Sequence, residues 1–97
     1  MSADLRERVR IDAAHPSLPG HFPGQPIVPG VVLLDRVAAA IECNGWGRIA
    51  RIGAVKFTAP LLPGDEAELA VLRDGARVRF RIERAGVPVM LGDAELM

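Results

Sequence analysis

The sequence predicts a single α+β domain in which an antiparallel β-sheet wraps around one central α-helix. Its 97 residues provide room for one hydrophobic core. A single apolar stretch, residues 31–41, has the alanine content and length of a helix. The other apolar stretches are short, largely alternate with polar residues and are separated by turn residues, as in antiparallel strands. We therefore expect a strand, a loop, the helix and four further strands within residues 1–97.

The first strand and the loop that follows it are predicted from two different patterns. Residues 5–11 place apolar side chains on one face and arginines on the other, which indicates a half-exposed strand. Residues 16–29 contain five of the eight prolines, and each proline fixes its own φ and restricts the residue before it. This density excludes a helix or an interior strand. We expect a stiff, extended loop that carries His15 and His21.

The helix is predicted to end near Asn44-Gly45 and to be buried on most sides, since only Asp35 and Arg36 interrupt its apolar character. The later strands are predicted at residues 48–57, with a bulge or kink at Gly53, and at residues 66–72, 77–83 and from 87 onward. The connecting turns are residues 60–65, Asp74-Gly75 and Ala85-Gly86.

Composition limits the classes of partner. Twelve basic and twelve acidic residues give a net charge of zero, which provides no attraction to nucleic acid or to an anionic membrane. No apolar stretch approaches the ~20 residues of a membrane span, and residues 1–12 do not resemble a signal peptide, so we expect a cytoplasmic protein. The single cysteine, Cys43, is predicted to be a small core residue, and Trp46 to pack in the core or in a dimer. A hydrophobic content of 49% in so short a chain predicts self-association.

Asp35 and His21 are the candidate acid and base. A carboxylate on an apolar helix costs several kcal/mol to bury unless it is paired or protonated. Asp35 is therefore either a structural group, paired with an arginine or capping the loop, or a proton donor. His21 is either a proton acceptor, since imidazole titrates near pH 6.5, or a histidine that bonds the loop backbone. Both alternatives remain open from the residues alone.

Gly30 and Val31 complete the candidate constellation. They begin the helix, where backbone N–H groups have no partner within the helix and can hold a carbonyl oxygen that gains negative charge. The alternative is a simple turn into the helix. A base, an acid and a carbonyl-binding group are sufficient to remove a proton α to a carbonyl and expel a β-hydroxyl. A metal site built from Asp12, His15 and Asp35 is not favoured, because the spacing is not that of a zinc site.

Two segments resemble a known family. Residues 21–35, HFPGQPIVPGVVLLD, are similar to the signature of the FabA/FabZ-type β-hydroxyacyl-acyl-carrier-protein dehydratases, and residues 55–65, VKFTAPLLPGD, resemble their second recurrent segment. The resemblance implies the hotdog fold and a homodimer with its active sites at the subunit interface. It assigns His21 as the catalytic histidine, Asp35 as the catalytic carboxylate and Gly30 as the backbone donor to the thioester carbonyl.

The implied activity is dehydration of a β-hydroxyacyl thioester on acyl carrier protein to the trans-2-enoyl thioester, in fatty acid, aryl polyene or polyketide-type biosynthesis. The short chain resembles compact relatives from aryl polyene pathways. We predict an apolar substrate site formed by Phe22, Gly30, Val31, Leu34 and Phe57. No cofactor is expected beyond the phosphopantetheine arm of the carrier, and neither nucleic acid nor membrane is expected as a partner.

Two other functions would use the same apolar substrate site. A hotdog thioesterase would direct water at the thioester carbonyl, and a binding module would hold the acyl carrier or a partner enzyme without turnover. The presence of both His21 and Asp35 argues against a mere binding module. The arginine stripes of the first and fourth strands are predicted to be solvated, although one of them could receive the acidic carrier protein.

Overall fold

The computed structural model describes residues 2–12 and 27–97, and this part of the chain forms one helix and five strands. The order along the chain confirms the predicted α+β architecture. The elements are β1 (Ser2–Val9), α1 (Gly30–Cys43), β2 (Ile49–Phe57), β3 (Ala67–Asp74), β4 (Arg77–Arg84) and β5 (Val87–Leu96). β1 ends at Val9 rather than at the predicted residue 11, and β5 continues to Leu96.

The five strands form one antiparallel sheet with the order β1-β3-β4-β5-β2, so β1 and β2 are its two edges. Tight turns join the three central strands, as predicted. Ala85 and Gly86, between β4 and β5, have φ angles of 49° and 80°. Positive φ at both central residues is typical of two-residue hairpins whose twist matches that of the flanking strands.

The core lies between α1 and one face of the sheet. In β4 the alternation is complete: Val78, Phe80 and Ile82 are buried, and the arginines between them are exposed. From the helix, one side is buried, namely Val32, Leu33, Val37, Ala40 and Ile41. The hydrophobic effect of covering these side chains holds the helix on the sheet.

The prediction that the helix is buried on most sides is wrong for the single chain. Val31 is 61% exposed, and Asp35 and Glu42 are also exposed, because the sheet of one chain covers only one side of α1. The prediction of Cys43 as a core residue is wrong as well. Cys43 is the last residue of the helix and is exposed, like Asn44 directly after it.

β2 is an edge strand in which only Ile49 and Val55 are even partly buried. The predicted bulge at Gly53 is confirmed. Ile52 lies opposite Ala94 and Val55 opposite Gly92, so two residues of β2 stand opposite the one residue between them on β5. The carboxyl group of that residue, Asp93, occupies the space that a side chain at Gly53 would need.

Candidate active site

Asp35 lies on the open side of α1, in a groove of about 690 Å³ between the helix and the end of β1. The side chain is exposed, so the prediction of a buried carboxylate is wrong for the single chain. Among the described residues no ion pair involves Asp35, which removes support for the structural alternative of pairing with an arginine. The groove is lined by Arg8, Arg10, Ile11, Asp12, Val32, Asp35, Arg36 and Ala39.

Arginines border Asp35 on the β1 side. Arg36, next to Asp35 in the chain, donates from Nη2 to Oε1 of Glu7 at 2.8 Å and so connects the helix to β1. Arg8 and Arg10 are exposed, and neither forms an ion pair within residues 2–12 and 27–97. The groove therefore combines two arginines that have no ion pair in this part of the chain with the carboxylate of Asp35. The sequence predicted these arginines as solvated, but it gave no sign that they line the same groove as Asp35.

Gly30 and Phe57 share a second cavity, of about 460 Å³, at the start of the helix. The residues around it are uncharged: Ile27, Val28, Pro29, Gly30, Leu33, Phe57, Thr58, Ala59, Pro60 and Leu61. Of the other predicted substrate contacts, Val31 is exposed and Leu34 half-buried, and neither lines this cavity. The described structure thus brings Gly30 and Phe57 together and places Asp35 in a separate groove of the same helix.

The start of α1 has backbone donors available. Pro29 is the N-cap residue and provides no side-chain cap, and Val32 N–H donates to the Pro29 carbonyl oxygen at 3.0 Å. No hydrogen bond within the described ranges uses the N–H group of Gly30 or Val31. The first turn also contains no acidic residue that would offset the positive end of the helix dipole. These two donors can bind an oxygen that gains negative charge.

The turn at residues 60–65 connects both ends of the proline-rich loop. Val28 N–H donates to the Leu61 carbonyl oxygen, and Gly64 N–H donates to the Ile11 carbonyl oxygen, both at 2.8 Å. Asp65 shapes the turn by accepting the Leu62 N–H at 3.0 Å. The second recurrent segment is therefore hydrogen-bonded to Ile11, before the proline-rich loop, and to Val28, within residues 21–35.

His21 and Phe22 lie outside the described residues, so their predicted roles as base and substrate contact stay predictions. Within the described part of the chain, no group of three or more His, Cys, Asp or Glu side chains is placed to hold a metal ion. The one described helix is too short to cross a membrane.

Comparisons with known proteins give the same fold and a family. A family model described as ApeI-like, ApeI dehydratase, matches residues 2–92. The 3-hydroxyacyl-[acyl-carrier-protein] dehydratase FabZ of Haemophilus influenzae (strain PittEE) is 36% identical over 100 residues, which cover 93% of this chain and 63% of that relative. The chain thus spans less than two thirds of the length of this curated relative.

Two solved structures are similar to the fold described above. The dehydratase heterocomplex ApeI:P from Xenorhabdus doucetiae has a TM-score of 0.82 and 26% identity, covering 98% of this chain and 92% of that one. The (R)-hydratase from A. caviae has a TM-score of 0.75 at 21% identity, covering 99% and 96%, and supports the hotdog fold alone. Because the family model spans nearly the whole sequence, the chain belongs to the ApeI-like dehydratase family.

Proposed function

We propose that this protein dehydrates a β-hydroxyacyl thioester carried by acyl carrier protein and releases water and the trans-2-enoyl thioester. The observation that carries the proposal is the presentation, on one helix, of unpartnered N–H groups at Gly30 and Val31 and of the Asp35 carboxyl group. Gly30 and Asp35 are separated by about 7.5 Å along the helix axis, at 1.5 Å per residue. The match to the ApeI-like family and to FabZ dehydratases supports the same reaction.

In the proposed mechanism, His21 accepts the proton from the α-carbon, and the electron pair of that C–H bond moves toward the carbonyl. The N–H groups of Gly30 and Val31 stabilise the negative charge on the thioester oxygen. The charge then returns to form the α–β double bond as the C–O bond at the β-carbon breaks. Asp35, in its protonated form, donates a proton to the departing hydroxyl, which leaves as water.

A second subunit is part of the proposal, because one chain leaves an apolar surface open beside the site. Ile52 and Phe57 of β2 lie opposite buried positions of β5, on the helix side of the sheet, yet are 44% and 54% exposed. Val31 and Leu34 continue this surface along α1. We assign it to a homodimer interface in which Asp35 of one subunit meets His21 of the other.

The similar Xenorhabdus dehydratase is a heterocomplex. Light scattering of the purified protein alone gives its mass and distinguishes a homodimer from a heterodimer. A mass of two chains supports the homodimer. A single-chain mass that doubles only when a second hotdog chain is added supports a heterodimer and overturns the homodimer.

The proposed partner is the acidic carrier protein, whose phosphopantetheine arm brings the acyl group, and the mechanism uses no other cofactor. We assign carrier contact to Arg8 and Arg10, because they border the Asp35 groove and have no ion-pair partner among the described residues. Guanidinium groups suit carboxylate and phosphate recognition. The reaction is assigned to the cytoplasm.

The proposed function is tested with β-hydroxyacyl groups of several chain lengths on acyl carrier protein, following loss of water by mass spectrometry and free thiol colorimetrically. We expect the enoyl product without thiol release. His21→Ala is expected to be slower by at least about 100-fold, as for loss of a general base. Release of thiol would indicate a thioesterase, and equal rates for wild type and His21→Ala would refute the assigned mechanism. Stable carrier binding without product would indicate a binding module.

A further inference from the structure

Gly30 is required by its neighbour Phe57 rather than by its own backbone. The residue is helical, and its φ is not among the positive φ angles of the chain, so alanine would suit this backbone and favour the helix. An ideal Cβ on Gly30 would, however, lie 2.5 Å from Cζ and 2.7 Å from Cε1 of Phe57. Such distances are far inside van der Waals contact. The ring of Phe57 therefore rests on Gly30, where every other residue type would place its side chain.

The backbone at Phe57 is fixed, although its side chain is 54% exposed. Phe57 pairs with Met90 in the sheet. The next residue, Thr58, donates its N–H to the Val89 carbonyl oxygen at 2.9 Å and its hydroxyl to the Pro88 carbonyl oxygen at 2.7 Å. Movement of the ring therefore requires rotation of the side chain and no shift of the strand. Within the single chain the half-exposed ring has room for this rotation.

The ring also lies where it controls access to two neighbouring features. On one side is the first turn of α1, with the unpartnered N–H groups of Gly30 and Val31. On the other is the apolar cavity that reaches Leu33 and Leu61. Both residues are almost fully buried, so they form the floor of the cavity against the core of the molecule. An acyl thioester bound at the N–H groups would contact the ring first.

We propose that Phe57 is the specificity-determining residue of this site: its ring covers the start of α1 when resting on Gly30 and turns aside to admit the acyl chain. This inference rests on the proposed function. It goes beyond a lining role, because it makes Gly30 and Phe57 one coupled unit. The width beside the turned ring then limits the bulk of the acyl group, while the N–H groups bind the carbonyl regardless of its bulk.

A stability cycle tests the coupled unit without any substrate. Thermal unfolding is measured for wild type, Gly30→Ala, Phe57→Ala and the double variant. We expect Gly30→Ala to lower the melting temperature in the wild-type background and to leave it equal or higher in the Phe57→Ala background, where the added methyl group has space. Additive effects of the two substitutions would show that the ring does not rest on Gly30, and would overturn the inference.

Turnover of two β-hydroxyacyl carrier thioesters, one short and linear and one with a bulky aryl group, tests the specificity role. Phe57→Ala is expected to raise the ratio of kcat/KM for the bulky over the short substrate by about tenfold, in the range typical of apolar pockets. Leu72→Ala, a similarly exposed apolar residue at 49% on the outer side of the sheet, should leave the ratio unchanged. An unchanged ratio in Phe57→Ala with active wild type refutes the specificity role alone. If the wild type is inactive while the stability cycle is non-additive, the proposed function is refuted, and the coupling of Gly30 with Phe57 is still supported.

Discussion

Asp35 is an exposed carboxyl group on the only helix of the described residues, and this position separates its two interpretations. A structural carboxylate would be paired or would cap a backbone group. Instead, the neighbouring Arg36 forms an ion pair with Glu7, and no ion pair of the described residues includes Asp35. An exposed charge contributes little to stability. The residue therefore has more to contribute to a second molecule than to the fold of its own chain.

Replacing Asp35 by asparagine should thus separate activity from stability. We expect Asp35→Asn to lower the dehydration rate by about 100-fold or more, because the amide cannot donate the proton that the leaving hydroxyl needs. The melting temperature should change little. Glu42→Gln is the matched control, since Glu42 is an exposed carboxylate on the same helix with only a long 3.7 Å ion pair to Arg48. Equal loss of activity in both variants would contradict a specific role of Asp35.

The residues of the site could be predicted from the sequence only where their role depends on their neighbours along the chain. Gly30 and Val31 were identified because helix starts always leave N–H groups without partners. The contact of Phe57 with Gly30 could not be predicted, because it depends on how β2 and the start of α1 meet in space. The exposure of Asp35 was missed for a similar reason. The apolar pattern of a helix does not indicate whether the side that faces away from the sheet is covered by the same chain or by another chain.

Among the elements, the turn at residues 60–65 has the clearest structural role, and Asp65 holds it together. Its carboxylate accepts the Leu62 N–H and pairs with Arg84 at 2.9 Å. Through this turn the chain segments at Ile11 and Val28 are held in place. We expect Asp65→Ala to lower the free energy of unfolding by about 1–3 kcal/mol, measured by urea denaturation, since one hydrogen bond and a partly exposed ion pair are lost.

Glu66→Ala is the control for that variant. Glu66 is the next residue, is exposed and has no ion pair among the described residues. Its loss should change the free energy of unfolding by less than about 0.5 kcal/mol, as for surface substitutions in general. The same urea midpoint of unfolding for Asp65→Ala and Glu66→Ala would show that the turn does not depend on the aspartate.

The end of β1 is the element to which the carrier protein is assigned. Arg10→Glu should lower kcat/KM for carrier-bound substrate by about tenfold, mainly by slowing association, and should have little effect on a short pantetheine thioester that has no carrier. Arg79→Glu, which reverses another exposed arginine on β4, is the control. Equal losses with both forms of substrate would place Arg10 in folding or chemistry rather than in carrier recognition.

The elements themselves could be predicted well because their patterns are local and strong. The strict alternation of β4 and the positive-φ turns on either side of it follow from side-chain period and turn chemistry. The end of β5 was not predicted, since Gly92 and Asp93 interrupt its apolar character. The presence of Gly92 and Asp93 in β5 is explained by contacts with neighbouring strands of the sheet. The ring of Phe80 occupies the space beside Gly92, and Asp93 faces the bulge of β2 at Gly53.

At the scale of the whole molecule, the sheet has two edges of different character. β1 carries four charged residues, Asp4, Arg6, Glu7 and Arg8, and Arg6 pairs with Glu68 on β3. Charges are typical of an edge that avoids pairing with other chains. β2 instead combines an open edge with exposed apolar side chains at Ile52 and Phe57. This apolar edge, next to the uncovered face of the helix, is the surface to which we assign the proposed second subunit.

Placing a charge on this edge should therefore dissociate the proposed assembly and lower the activity together. Ile52→Lys would bury an unpaired ammonium group in the proposed interface, so we expect single-chain mass by light scattering and dehydration at least about tenfold slower at micromolar protein. The fold of the chain should persist, because Ile52 is 44% exposed without a partner. Val87→Lys, at a 51% exposed position on β5, should keep both the mass and the rate. If Ile52→Lys stays dimeric and active, β2 is not the interface, and Asp35 must meet its base within a single chain.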